Sequence, residues 1–154
     1  ISGESHLYMG RRYILHINIG KPNDVKYKGR YFEITCSDKS KAKYLMLDWY
    51  HIHAKIKFAE IAEPIIQRFM RYNVTPNAIY IREMNNRWGS CTIYGNIILN
   101  TELIKAPRAC IEYVIIHELC HLVHRNHSKA FYDLLSTEMP DWEKWKNKLE
   151  RILL

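Results

Sequence analysis

At 154 residues the chain is long enough for one domain whose core needs no cross-links. A composition of 47% hydrophobic and 25% charged residues, with 6 Gly and 5 Pro, excludes a disordered or collagen-like chain. The formal charge of +7 speaks for solubility and for steering of anions before it speaks for any one partner, and the basic residues are scattered from Arg11 to Arg151 as on solvated faces.

In chain order, the polar start Ile1–Arg12 has no signal-type apolar core, and no later run approaches the roughly 18 apolar residues a membrane span needs. A cytoplasmic protein with no membrane partner is expected. Tyr13 to Ile19 alternates in the manner of a strand, a turn-rich stretch with Pro22, Asn23 and Asp24 follows, and Tyr31 to Cys36 is again strand-like, which predicts an N-terminal hairpin over about 11–36. A helical segment over about 38–72 comes next, with Ser40 as a cap and Leu45, Trp49, Ile52, Ile56, Ala59 and Ile66 at helical spacing; Pro64 marks a break or a second start. His51 and His53 fall about 200° apart on it and read as ordinary histidines. Ala78–Arg82 and Asn96–Leu99 read as strands around a loop from Asn85 to Gly95. Pro107 suits the first turn of a helix running from about Arg108 to Arg125. Two more helices follow, Ser128 to Met139 and Asp141 to Leu153, separated by Pro140. The four cysteines, Cys36, Cys91, Cys110 and Cys120, lie far apart and read as reduced thiols.

The chemistry concentrates between His117 and His127, where the sequence runs His-Glu-Leu-Cys-His-Leu-Val-His-Arg-Asn-His and holds four of the eight histidines. On a helix, His117 and His121 are about 40° apart and one turn apart, so both imidazoles can meet one Zn²⁺ at about 2.0–2.1 Å. Glu118 stands on the neighbouring flank. It is poorly placed as a ligand there and well placed to take a proton from water at the metal. A catalytic zinc needs a third protein ligand and one open position. His124 would lie about 10.5 Å along an unbroken helix from His117, which is too far. His127 is favoured instead, with the helix stopping near Asn126, a residue that tolerates the left-handed conformation of a chain reversal. Cys120 points away from the two helix histidines and reads as a buried thiol; as a fourth ligand it would make the zinc structural. A buried helix with individually satisfied histidines is the rival account. It has some force because Ile111, Val114, Ile115, Ile116, Leu119, Leu122 and Val123 make this helix apolar nearly all round, yet two His and one Glu would each need a partner that a metal supplies at once.

With these residues in view, three stretches resemble the YgjP-like metallopeptidase domain family, akin to the SprT-like and WLM domains of the zincin superfamily. They are Asn86-Arg87-Trp88-Gly89-Ser90-Cys91; Asn96-Ile97-Ile98-Leu99-Asn100 leading to Leu103; and His117 to His121 with Asn126-His127-Ser128 and Ala130-Phe131-Tyr132. The resemblance implies an α+β, zincin-like fold: a small mixed β-sheet packed against a central HExxH helix, with additional N-terminal and C-terminal helices. It implies Zn²⁺ held by His117, His121 and His127, a catalytic Glu118, and Asn96–Asn100 as an edge strand that pairs with an extended substrate. The motif Arg87–Cys91 reads first as structural; Arg87 could instead reach a partner of a metal ligand or a substrate carboxylate, and Asn96 and Asn100 are candidates for the same kinds of contact. Gly89 reads as a turn residue, Trp88 and Met139 as packing. Eleven tyrosines offer no unique choice of oxyanion donor. His124 stands where metzincins carry Gly, so the chain is not assigned to that group.

The expectation is therefore one domain over 1–154, with the sheet and zinc-site core at about 78–140 and a C-terminal helix at about 141–153. Its function is expected to be that of a zinc-dependent metallohydrolase acting on a peptide or protein substrate, with Glu118 as general base. Two other readings stand beside it: a DNA-associated or nucleic-acid-binding module that uses the basic surface, as SprT-like and WLM relatives act on proteins at DNA, and a non-catalytic scaffold with four protein ligands on zinc.

Overall fold

In the computed structural model, which describes residues 3–20 and 23–152, the alternation of the first third produces four strands. These are β1 (Ser5–Tyr8), β2 (Arg11–Ile19), β3 (Asp24–Lys28) and β4 (Tyr31–Cys36), in the sheet order β1-β2-β4-β3. The expected hairpin between β2 and β4 is thereby corrected: the two run parallel, from Ile14 opposite Tyr31 to Ile19 opposite Cys36. The cause lies in the turns. Met9 (φ 51) and Gly10 (φ 83) reverse the chain between β1 and β2, and Gly29 (φ 60) does so between β3 and β4, so the two true hairpins lie side by side. Val25-Lys26-Tyr27 is thus a strand inside the stretch read as turn; Pro22, like Leu153 at the other end, lies outside the described residues.

The inner face of this sheet, including Tyr13, Leu15, Phe32 and Ile34, is buried against α1 (Ala42–Phe69). Asp38 accepts from Ser40 N at 3.0 Å and opens the entry to the helix, a role expected of Ser40 itself. The helix continues through Pro64 without a break. Pro64 and Glu60, the residue whose carbonyl loses its donor, both face solvent, while Ala54, Phe58, Ile61, Ile65 and Phe69 are buried on the opposite face and hold the line. Ile52 and Ile56, expected in the core, are 55% and 49% exposed. The buried stripe is offset from them by two residues.

A second sheet has the order β5-β7-β6, from β5 (Ala78–Arg82), β6 (Gly89–Cys91) and β7 (Asn96–Asn100). β7 is parallel to β5 and antiparallel to β6. The expected loop around residue 90 therefore contains a strand, and the expected edge strand, Asn96–Asn100, is the central one. It is the more apolar of the two, with Ile97 and Leu99 almost fully buried, and so takes the covered position.

Asn100 caps the short 3-10 turn Thr101–Lys105 by accepting from Glu102 N, and Pro107 opens α2 (Arg108–Val123). Met9 N and Gly10 N donate to the carbonyls of Ile104 and Lys105, and a Cβ on Gly10 would lie 2.9 Å from Pro107 Cγ. The first sheet is thus pinned to the entrance of α2. Around α2, with Ile111, Ile115 and Leu119 fully buried, pack α1, β6, α3 (Lys129–Glu138) and α4 (Trp142–Ile152). Glu138, at the end of α3, accepts from Arg68 Nε (2.9 Å), Arg71 and Tyr72 Oη (2.6 Å), clamping the end of α1 onto it. No helix among the described residues is long and apolar enough to cross a membrane.

Candidate metal centre

α2 ends at Val123 because His124 adopts an extended conformation (φ −128, ψ 108). The reversal expected at a left-handed Asn126 is made here by extended His124: the described non-glycine residues with positive φ are Met9, Asn73 and Asn86. The chain then folds back, Ser128 N donates to Asn126 O at 2.8 Å, and Ser128 caps α3 by accepting from Phe131 N. This turn carries His127 back over the last turn of α2.

The result is one group of ligating side chains among the described residues, His117, His121 and His127, whose nitrogens lie within 4.8 Å of one another. His121 Nε2 and His127 Nε2 are 3.1 Å apart. Two imidazole nitrogens on one tetrahedral cation at ordinary bond lengths stand roughly 3.3 Å apart, so the spacing fits a shared ion to within a few tenths of an ångström. Without an ion, one of the two rings would have to donate to the other.

The outer contacts select the nitrogens. His121 Nδ1 lies 2.9 Å from the Arg125 carbonyl and 3.3 Å from that of His124; donation from Nδ1 leaves Nε2 with its lone pair for a cation. Burial, followed by the neighbouring His117 and His127, pushes the His121 pKa down and keeps the ring neutral, against the pull of Glu118. His117 Nδ1 lies 3.1 Å from Glu118 Oε2, which fixes that ring in the same sense. His124 contributes a carbonyl and stands outside the group of three. Cys120 is fully buried beneath the helix, its thiol pushed up to about 12 by burial, and is also outside it.

Phe131 forms the floor. It is fully buried, with its ring centroid 5.1 Å from that of His117, 4.5 Å from His121 and 5.0 Å from His127. Tyr132 stacks on His127 (6.1 Å, 29°) and in turn on Trp142 of α4 (5.7 Å, 29°). Motif spacing does not identify these two as supports; their only signal is their place in the Ala130-Phe131-Tyr132 stretch of the resemblance. Met139 is a core residue.

A cleft of about 590 Å³ opens beside the three histidines. One wall is the face of α2 that carries Tyr113, Val114, His117, Glu118 and His121; the other is the stretch Asn86–Cys91, with Arg125–His127 at the mouth. The motif around Trp88 thus becomes intelligible. β6 is the free edge of its sheet and lies against α2, and a Cβ on Gly89 would stand 3.0 Å from Val114 Cγ1 and 3.1 Å from Glu118 Cγ. Glycine at this position serves the close approach of strand to helix rather than a turn. Glu118 is 5% exposed, held between this strand and His117.

Of the other expected site residues, Arg87 lines the cleft, and Asn96 and Asn100 do not. Asn100 Nδ2 donates to the carbonyls of Met84 (3.1 Å) and Arg87 (2.8 Å), fixing the loop that leads into β6. Asn96 bonds Asn77 and Thr92 at the far turn.

Among solved structures, the metallopeptidase zymogen jannalysin of Methanocaldococcus jannaschii matches with a TM-score of 0.54 at 21% identity, over 63% of this chain and 90% of that one. The metallopeptidase zymogen abylysin of Pyrococcus abyssi matches with a TM-score of 0.49 at 22% identity, over 60% and 91%. The first of these likenesses is one of fold, an α+β arrangement shared over that stretch. No curated protein sequence matches the chain. A family model described as "YgjP-like, metallopeptidase domain" matches residues 1–152, which takes in both sheets, all four helices and the histidine cluster. The chain belongs to the YgjP-like metallopeptidase domain family.

Proposed function

We propose that the protein is a zinc metallopeptidase of the HExxH type, with His117, His121 and His127 as metal ligands and Glu118 as general base. The observation that carries this is the convergence of three imidazoles within 4.8 Å, with a nearly buried carboxylate beside them on a cleft whose other wall is a free strand edge. When bound, zinc supplies a Lewis acid that polarises a carbonyl and makes water more acidic.

The remaining steps belong to the chain. The edge of β6 that has no strand partner offers backbone donors and acceptors to an extended peptide, which sets the scissile bond along the cleft. Glu118, fixed by its contact with His117 and by the close approach of Gly89, takes the proton of the attacking water and returns it to the leaving amine. Ser90 and Tyr113 bring hydroxyls to the two walls; burial and the nearby Glu118 push the Tyr113 pKa far up, so that it stays a neutral donor.

A scaffold with four protein ligands fits less well, because the group among the described residues holds three. Association with DNA rests on the +7 charge and on the resemblance to SprT-like and WLM domains, and salt-sensitive binding to an oligonucleotide tests it. The test of the main reading is cleavage of a peptide library by the purified chain before chelation, after chelation and after return of zinc, with metal analysis at each stage. Loss and recovery of cleavage together with one zinc per chain is the expected result. Cleavage that ignores the chelator contradicts it, and recovery by another divalent ion alone would replace zinc, since three imidazoles do not select it uniquely.

A further inference from the structure

We infer that the cleft selects acidic peptides, reading one carboxylate near each end of a bound strand through Arg87 and Arg125. The inference rests on the peptidase reading above and adds a substrate class to it.

The two arginines line the same cleft from opposite ends of β6. Arg87 lies two residues before the first residue of the strand, Gly89. Arg125 reaches the other end: its Nη1 donates to the carbonyl of Thr92, the residue just after Cys91, at 3.2 Å. Only Gly89–Cys91 is strand and Trp88 stands at a bend, so the path from residue 87 to residue 92 is shorter than the roughly 16 Å of a straight strand. A peptide laid along β6 therefore passes one arginine before the strand and one after it, within about five of its own residues.

Both positions are held by the backbone. The Arg87 carbonyl accepts from the buried Asn100 Nδ2 at 2.8 Å, and its neighbour Asn86 takes a left-handed conformation (φ 62). The Arg125 carbonyl accepts from His121 Nδ1, so this side chain is anchored to the metal centre itself. Both side chains are exposed, and Arg125 keeps donors beyond the one given to Thr92. The only carboxylate among the cleft's lining residues is Glu118, nearly buried and committed to proton transfer. Among the described residues no acidic side chain other than Glu118 lines the cleft to compete with a substrate's. Planar guanidiniums are suited to carboxylates in a bidentate manner.

Partly exposed ion pairs of this kind are worth about three- to fivefold each, so about tenfold is expected for the two together. The test uses the full chain loaded with zinc. In a library digest of the wild type, Asp and Glu should be enriched two to three residues from the cleaved bond on both sides. Arg87→Glu should exchange that preference for Lys and Arg on one side only, and Arg125→Gln should erase it on the other. Cleavage without acidic enrichment, or enrichment untouched by both changes, overturns the inference and leaves the peptidase reading standing.

A binding arm separates the two further. The zinc-loaded Glu118→Gln protein is titrated with a capped alanine octapeptide carrying glutamates at its second and seventh positions, and with its glutamine counterpart. The acidic peptide should bind about tenfold tighter in low salt, and the gap should close in Arg87→Glu. Equal binding of the two peptides overturns the inference whether or not any peptide is cleaved. Displacement of the acidic peptide by an equal concentration of a single-stranded oligonucleotide also overturns it, by giving the two guanidiniums to a nucleic acid.

Discussion

Two clusters of rings divide the molecule, and they use histidine differently. Around Trp49, at the contact of α1 with the first sheet, stand Tyr8, Phe32, Tyr50 and His53; the His53 ring lies flat on the indole, 4.0 Å between centroids at 27°. Around Phe131 stand His117, His121, His127 and Tyr132. Burial lowers the pKa of His53 as it lowers that of His121, so neutrality alone does not make a site. The difference lies in the nitrogens. In the second cluster backbone carbonyls and a carboxylate take the Nδ1 side of two rings, and the remaining nitrogens are left to converge beside a cleft; in the first the histidine serves as a packing surface.

Trp49→Ala should separate the clusters most strongly. It removes the centre of the first, and large-to-small changes of a buried aromatic cost about 3–5 kcal/mol. Denaturant unfolding should show that loss, while metal stoichiometry at 25 °C stays at the wild-type value; loss of metal in a still-folded variant would show that the clusters are one unit. Phe131→Leu keeps most of the buried volume but removes the floor under three rings. Chelator competition should register about a tenfold weaker metal affinity, the size seen when support of a ligand is lost. Unchanged affinity would reduce Phe131 to ordinary core.

Gly89→Ala acts between the clefts' two walls. The new Cβ forces Val114 or Glu118 to yield by a few tenths of an ångström, and turnover should fall about tenfold with metal retained; wild-type turnover would show that the strand gives way instead. Glu138→Gln should cost about 1–3 kcal/mol of stability, the size of bonds to charged groups. Burial alone would raise the Glu138 pKa, but the bonds from Tyr72, Arg68 and Arg71 outweigh it and hold the carboxyl below its ordinary 4.5. A depressed folded pKa means that this stability is present above the ordinary value and is lost as pH falls through the folded one. The gap between wild type and variant in unfolding free energy should therefore narrow below pH 4.5, and a gap independent of pH would place the effect elsewhere.

The sequence was most informative where chemistry dictates spacing. His117 and His121 one turn apart, Pro107 before the helix and Ser128 after the reversal are local signals, and α2 and α3 stand within two residues of their expected ends. Pairing order was not legible. Nothing within Tyr13–Ile19 or Tyr31–Cys36 says that the strands run parallel with a third beyond them, because that choice is made by the turns at Met9-Gly10 and Gly29, outside both stretches. The three-residue strand at Gly89–Cys91 was too short to show a period, so its edge role passed to the more apolar Asn96–Asn100. Asn126 was expected to turn the chain by its own conformational tolerance; the structure uses an extended His124, whose carbonyl and that of Arg125 then face His121 Nδ1.

The measurement that bears most directly on the whole account is zinc content and peptide turnover of Glu118→Gln beside His121→Ala, each checked for folding. One zinc per chain with turnover at background in the first, and neither zinc nor turnover in the second, is the predicted result. A zinc-loaded Glu118→Gln protein that still cleaves peptides at the wild-type rate would contradict it.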